Sequence, residues 1–174
     1  MNLRGKTIVL RALEPDDLET LYRWENNTEV WEVSGTTVPF SRHLLSEFIK
    51  RSDQDIYINK QLRLMIELTK NKKAIGCIDL FEFDPLNRRA GIGILIADEK
   101  ERRKGYASES LEIIVSYCFG TLGLHQIFAH VLKENSSSVN LFLKSGFEVS
   151  GIKKDWILSG KKWKPELHLQ LINS

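Results

Sequence analysis

The chain has 174 residues, with 25 Lys and Arg against 23 Asp and Glu, a net charge of +2, 42% hydrophobic residues and 28% charged ones. These proportions are those of an ordinary globular domain. They exclude a disordered tail, a collagen-like repeat, a disulfide scaffold and the single-sign field of a dedicated nucleic-acid binder.

No apolar leader follows Met1 to Lys6, and the longest apolar run, near Gly91 to Ala97, is far short of the ~20 residues of a membrane span. A cytoplasmic protein that does not enter a membrane is the expectation. No repeat, low-complexity tract or linker divides the chain, so residues 1–174 read as one domain. Thr7 to Arg11 predicts a short strand. Pro15 opens a helix, with Asp16 and Asp17 suited to its positive end and Leu18, Leu21, Tyr22 and Trp24 on its apolar side. Ser41 predicts the N-cap of a second helix carrying Leu44, Leu45, Phe48 and Ile49.

Leu62 to Leu68 alternates as a half-buried strand does. Lys70 to Lys73 turns the chain into a strand from Ala74 to Phe83, and Asp84-Pro85 with Asn87 turns it again. Arg89 to Ala97 is apolar at its centre and predicts a buried central strand; the short turns predict an antiparallel meander. Ala107, Leu111, Ile114, Val115, Cys118 and Leu122 share a helical face. Gln126 to Leu132 is a strand, Asn135 to Ser145 a helix closed by Gly146, Phe147 to Asp155 a strand, Ser159-Gly160 a turn, and Glu166 to Ile172 a strand. Cys77 and Cys118 each lie in an apolar segment and are expected as buried free thiols; no metal site is expected. The sum is an α+β domain, a mixed sheet with helices packed on it.

The segment that carries chemistry joins the strand Ile92-Gly93-Ile94-Leu95-Ile96 to a helix through Glu101-Arg102-Arg103-Lys104-Gly105-Tyr106-Ala107. A glycine-containing loop that opens a helix aims several unpaired amides in one direction, which makes an anion site. Gly105 permits close approach of the backbone. Later come Asn135-Ser136-Ser137-Ser138 and Leu141-Phe142-Leu143-Lys144-Ser145-Gly146-Phe147. Together these motifs resemble the GNAT superfamily of acetyl-CoA-dependent N-acetyltransferases. The opening Val9-Leu10-Arg11-Ala12-Leu13-Glu14-Pro15-Asp16-Asp17-Leu18 is similar to its spermidine and ribosomal-protein acetyltransferase branch. The resemblance runs from about Thr7 to Leu171.

The resemblance implies a mostly antiparallel sheet splayed at the acetyl-CoA site. It implies that Arg102, Arg103, Lys104, Gly105, Tyr106 and Ala107 cradle the CoA pyrophosphate. Ile94, Leu95 and Ile96 would offer backbone groups to the pantetheine arm, with Asn135, Ser138 and Phe142 on its other side. Two departures stand out. Arg103 occupies a position where the commonest pattern has glycine, and the approach from Asp98 to Glu101 is one residue longer. Phe142 stands where many relatives carry a tyrosine taken to protonate the departing thiolate; phenylalanine has no proton to give.

An alkyl amine with a pKa of ~10.4 is neutral at only a few parts in ten thousand at neutral pH, so a base within hydrogen-bond reach, directly or through water, would help. Some relatives place a glutamate on the strand that here runs Gly91 to Ile96, which has none. Glu82 and Asp79 on the preceding strand are the candidate bases. They stand one odd and one even step apart and are expected on opposite faces. His130, between Ala129 and Val131, is a weaker candidate, and His125 lies at an exposed turn.

Between Glu14 and Glu32 the chain carries Glu14, Asp16, Asp17, Glu19, Glu25, Glu29 and Glu32 against Arg23 alone. Such a wall would attract a cationic amine, with Trp24, Trp31 and Phe40 nearby; a solvated helix face is the plainer reading. Lys153, Lys154, Lys161, Lys162 and Lys164 with Trp156 and Trp163 make a basic hairpin that protects a sheet edge, and nucleic acid is not expected as a partner. Three functions follow: acetylation of a polyamine-type small molecule, acetylation of a protein N-terminus, or non-catalytic acyl-CoA binding. A homodimer is compatible with the exposed strand edges.

Overall fold

The computed structural model describes residues 3–29, 31, 36–52 and 55–173. Strands β1 (Ile8–Arg11), β2 (Leu62–Leu68), β3 (Ala74–Asp84), β4 (Arg89–Ile96), β5 (Gln126–Leu132), β6 (Glu148–Ser159) and β7 (Lys162–Ile172) form one sheet in the order β1-β2-β3-β4-β5-β7-β6. Every neighbouring pair is antiparallel except β4 and β5, which run parallel. The expected meander is β2-β3-β4, and the α+β class with a mixed, mostly antiparallel sheet is found. The last hairpin is longer than its alternation predicts, because bulges in β6 break the period of two.

Helices α1 (Leu18–Glu25), α2 (Arg42–Arg51) and α3 (Ile56–Asn59) lie between β1 and β2 in sequence. Helix α4 (Tyr106–Gly120) joins β4 to β5, and α5 (Ser136–Lys144) joins β5 to β6. Pro15–Asp17 forms a 3₁₀ turn before α1, and the Asp17 carboxylate accepts the Glu14 amide at 2.9 Å. Ser41 caps α2 as expected, its Oγ accepting the Leu44 amide at 3.1 Å. Gly146 closes α5 with φ +89°, a left-handed conformation suited to glycine. The four residues of α3 are too few for a helical period to show in sequence. Among the described residues no helix is long and apolar enough to cross a membrane.

Strand register sorts the side chains by face. Leu64, Ile66, Ile78, Leu80, Ile92, Ile127, Ala129, Leu167 and Leu169 join Leu111, Ile114 and Cys118 of α4 and Phe142 of α5 in the main core. On the opposite face Met65 packs with Leu13, Leu21, Leu45 and Ile49 in a second core, flanked by Trp24 and Phe40. The buried thiols are found as expected; burial pushes both Cys77 and Cys118 up to about 12. Past the second core, the same face carries Phe81, Phe128, His130, His168 and Gln170, and there the sheet is open.

Candidate active site

The parallel pairing of β4 with β5 stops early. It holds at Arg89↔Gln126, Ala90↔Ile127 and Gly91↔Phe128. Beyond these, β4 continues to Ile96 paired only with β3, and β5 continues to Leu132 paired only with β7. The sheet therefore splits, and burial follows: Gly91 and Ile92 are buried, Gly93 to Ile96 half-buried.

Backbone direction decides which groups line this wedge. The Ala97 amide donates to the Ile75 carbonyl at 2.9 Å, toward β3. The Leu95 carbonyl faces Gly76, where a Cβ would stand 2.0 Å from that oxygen. Backbone groups alternate in direction along a strand. Ile94 and Ile96 therefore face the open edge, and Leu95 offers the wedge a side chain but no backbone group. The Ile96 carbonyl already accepts Arg102 Nε at 2.9 Å. Among the described residues the Ile94 amide and carbonyl and the Ile96 amide remain without partners.

The loop after β4 is an amide cradle. Its longer approach folds into a 3₁₀ turn, Glu99–Glu101, capped by Asp98 through the Lys100 amide at 3.0 Å. Arg103 and Gly105 both take left-handed conformations, φ +61° and +85°. The first helical bond of α4 runs from the Glu109 amide to the Gly105 carbonyl at 3.0 Å. Among the described residues the amides of Arg103 to Ser108 have no acceptor, so they and the helix dipole suit an anion. The side chains contribute less charge than their number suggests. Lys104 binds the buried Glu101 at 2.7 Å, and Arg102 binds Glu99 at 3.3 Å. Lys104 and the Asp98–Lys73 bridge at 2.6 Å brace the loop.

Across the wedge, Asn135 caps α5. Its Oδ1 accepts the Ser138 amide at 3.1 Å, and among the described residues its Nδ2 has no acceptor. Phe142, expected beside the cofactor arm, is 2% exposed and packs edge-on to Phe147 at 5.0 Å in the main core.

On the acceptor side a bulge changes the reading. The register steps from Phe81↔Gly91 to Asp84↔Arg89, three residues of β3 against two of β4. Glu82 takes φ +49° there. The extra residue cancels the alternation, so Asp79, Phe81 and Glu82 share one face, not opposite faces as expected. Their environments differ. Arg63 donates to both Asp79 oxygens, Nε at 2.6 Å and Nη2 at 3.0 Å, and also binds Glu25. Asp79, one of the two candidate bases, is thus held at both oxygens by Arg63. Glu82 is exposed and lines a cavity of about 780 Å³ with Lys60, Asp84, Phe128, His130 and His168. Among the described residues it has no ion-pair partner.

Two histidines meet in that cavity. His130 Nε2 lies 2.9 Å from His168 Nδ1. Burial lowers both below their usual range. The Lys153 charge adds to this at His130, and His130 adds to it at His168. Lys153 reaches His130 Nε2 at 3.4 Å and Glu166 at 2.9 Å.

Three of the seven wall carboxylates are paired with arginines. Arg11 binds Asp17 at 2.7 and 2.8 Å, Arg42 binds Glu19 at 2.7 and 3.0 Å, and Arg63 takes Glu25. Trp31 donates its indole N–H to the Glu25 carbonyl at 2.8 Å. Glu32 lies outside the described residues. Arg63, Phe81, His168 and Glu166 were not singled out by sequence reasoning, and Lys153 only as part of the basic hairpin. The one signal for His168 is that it alternates with Leu167 and Leu169, hence lies off the core face.

An acetyltransferase (GNAT) domain model matches residues 7–148. The spermidine N(1)-acetyltransferase of Vibrio cholerae is 29% identical over 155 residues, 88% of this chain and 87% of that protein. The N-acetyltransferase YoaA of Bacillus subtilis is 31% identical over 155 residues, 89% and 87% of the two chains. Among solved structures, the V. cholerae spermidine N-acetyltransferase in complex with CoA and spermine superposes with a TM-score of 0.85 at 27% identity, covering 95% of each chain.

Proposed function

The chain belongs to the acetyltransferase (GNAT) family, and from that membership we propose that it moves the acetyl group of acetyl-CoA to a primary amine of a polyamine-type small molecule. The observation that carries this reading is the wedge between β4 and β5, with an amide cradle at its mouth and the acceptor cavity on one face. The similarity to spermidine acetyltransferases over most of the chain supports the acceptor class.

In this reading the amides of Arg103 to Ser108 hold the pyrophosphate of acetyl-CoA, and Asn135 with the open edge of β4 holds the pantetheine arm. Acetyl-CoA is a co-substrate, consumed once per turnover. The Ile94 amide is the donor best directed at a developing oxyanion, because it faces the wedge and is already fixed by the sheet. Asp84 is bound by Arg89 at 3.3 Å and by Asn87. Glu82 is therefore the cavity's available carboxylate, and it receives a second ammonium group of the acceptor. The thiolate of CoA takes its proton from the attacking nitrogen, so no tyrosine at position 142 is required.

One observation favours a second acceptor, the α-amine of a protein. The wall carboxylates Asp17, Glu19 and Glu25 are neutralised by arginines and attract a polycation less than their number suggests. Incubation with acetyl-CoA and spermidine, read by product mass, tests the proposal. One added acetyl group is expected. An unchanged amine beside a chain that binds acetyl-CoA and acetylates no other amine would leave the non-catalytic acyl-CoA binder in its place.

A further inference from the structure

This inference rests on the acetyl-transfer reading and concerns the group that takes the proton of the amine. His130 stands two residues past the Gly91↔Phe128 pair, on the face that carries the cavity. It is therefore at the point where the wedge opens. Directly across on β7 is His168. Both rings line the cavity, and Phe128 packs against each, at 5.3 and 5.4 Å.

The 2.9 Å contact between the two rings holds one proton, on either side according to the tautomer. Lys153 Nζ is an ammonium, with donors and no lone pair. Its 3.4 Å approach to His130 Nε2 suits the tautomer in which that nitrogen is unprotonated. The proton of His130 then sits on Nδ1, turned to Glu166 Oε1 at 4.0 Å. In that tautomer the shorter contact is the main one, with His168 Nδ1 donating to the His130 Nε2 lone pair at 2.9 Å. A neutral imidazole has a single N–H. His168 Nε2 is left with its lone pair, and among the described residues nothing donates to it.

We propose that His168 is the catalytic base of the acetyl transfer, its Nε2 lone pair set by the Lys153–His130 chain, with His130 and Lys153 as positioning residues. The substrate ammonium gives one proton to His168 Nε2, directly or through one water. The neutral amine attacks the thioester carbon. A C–N bond forms, the C–S bond breaks, and the thiolate takes the second proton from nitrogen. Imidazolium at 168 returns its proton to solvent, so each turnover yields amide, CoA thiol and one free proton. The charged groups around the pair are Glu82 from β3, Lys153 from β6 and Glu166 from β7, with Lys60, Asp84 and Arg89 completing the cavity's charged lining. Burial and Lys153 keep both rings neutral at neutral pH, the form a base requires.

His168→Gln keeps an amide N–H for His130 and removes the titrating group. It is expected to lose about 100-fold or more in kcat with KM within about threefold. The acid limb of the wild-type kcat/KM profile, below the ordinary histidine value of 6.5, is expected to vanish. Free imidazole is expected to restore part of the activity of His168→Ala. A Gln variant with wild-type kcat and an unchanged acid limb overturns the proposal alone. A wild-type chain that acetylates no amine overturns the acetyl-transfer reading and the proposal with it. Nitrogen-15 NMR of the histidine-labelled wild type decides the case if the variants do not fold. An unprotonated Nε2 at 168 near neutral pH is expected, and an Nε2–H there overturns the proposal whatever the turnover.

Discussion

The ring of Phe81 lies across Gly91, so close that a Cβ on Gly91 would stand 2.3 Å from a ring carbon. The same ring reaches to 3.8 Å from where a Cβ on Gly93 would be. On its acceptor face β4 has glycine at positions 91 and 93, and an aromatic ring from β3 fills the space. Gly91→Glu is expected to destabilise the chain by roughly 1–3 kcal/mol through overpacking and to add no activity. Urea midpoints for Gly91→Glu, alone and with Phe81→Ala, check this; the double variant recovers most of the loss.

Arg103 already holds the left-handed backbone that a glycine would favour, with φ +61°. Arg103→Gly is expected to bind acetyl-CoA within about threefold of wild type, because the cradle uses amides. Gly105→Ala meets no neighbour within 4 Å but must hold φ +85°. It is expected to cost about 1–2 kcal/mol of backbone strain and to weaken acetyl-CoA binding. Calorimetric titration of both variants separates the two effects.

Arg11 joins β1 to the 3₁₀ turn by binding Asp17 through two nitrogens, and it also binds Glu67 at 2.5 Å. Burial alone would raise the Asp17 carboxyl. Arg11 and the Glu14 amide outweigh it and hold the group below its usual 3.8. A depressed carboxylate contributes stability that is present above 3.8 and lost as pH falls through the lower folded value. Arg11→Met, which strands a buried charge, is expected to cost about 3–5 kcal/mol. Its denaturant midpoint should fall at neutral pH, and the gap to wild type should narrow in acid.

Phe142 is a packing residue in this account. Phe142→Leu is expected to lose about 1–2 kcal/mol of stability while keeping kcat within about threefold and the wild-type pH profile. Thermal unfolding and steady-state rates on the same preparation check both halves.

The elements that make the site were legible where the signal is local. The apolar run of β4, the turn into α4 and the caps Ser41 and Gly146 depend on neighbours in sequence, and each stands where it was expected. The cradle was legible for the same reason, since Gly105 at a strand-to-helix turn carries its geometry with it. What failed is what depends on register between distant strands. The bulge at Glu82 moves that residue to the face of Asp79, and alternation cannot reveal it. His168 becomes a partner of His130 only because β7 lies beside β5, separated by 38 positions in sequence. The pairing of Asp17, Glu19 and Glu25 was not legible because their partners Arg11, Arg42 and Arg63 come from outside the acidic stretch.

The central claim is acetyl transfer to a polyamine-type amine. The most direct test is the rate of CoA release from acetyl-CoA with spermidine, spermine, putrescine, an aminoglycoside, a simple monoamine and several N-terminal peptides. The account predicts the highest kcat/KM with spermidine or spermine and a specific loss of that preference in Glu82→Gln, with the monoamine unaffected. Release that is absent with every amine, or highest with the peptides and insensitive to Glu82→Gln, would contradict it.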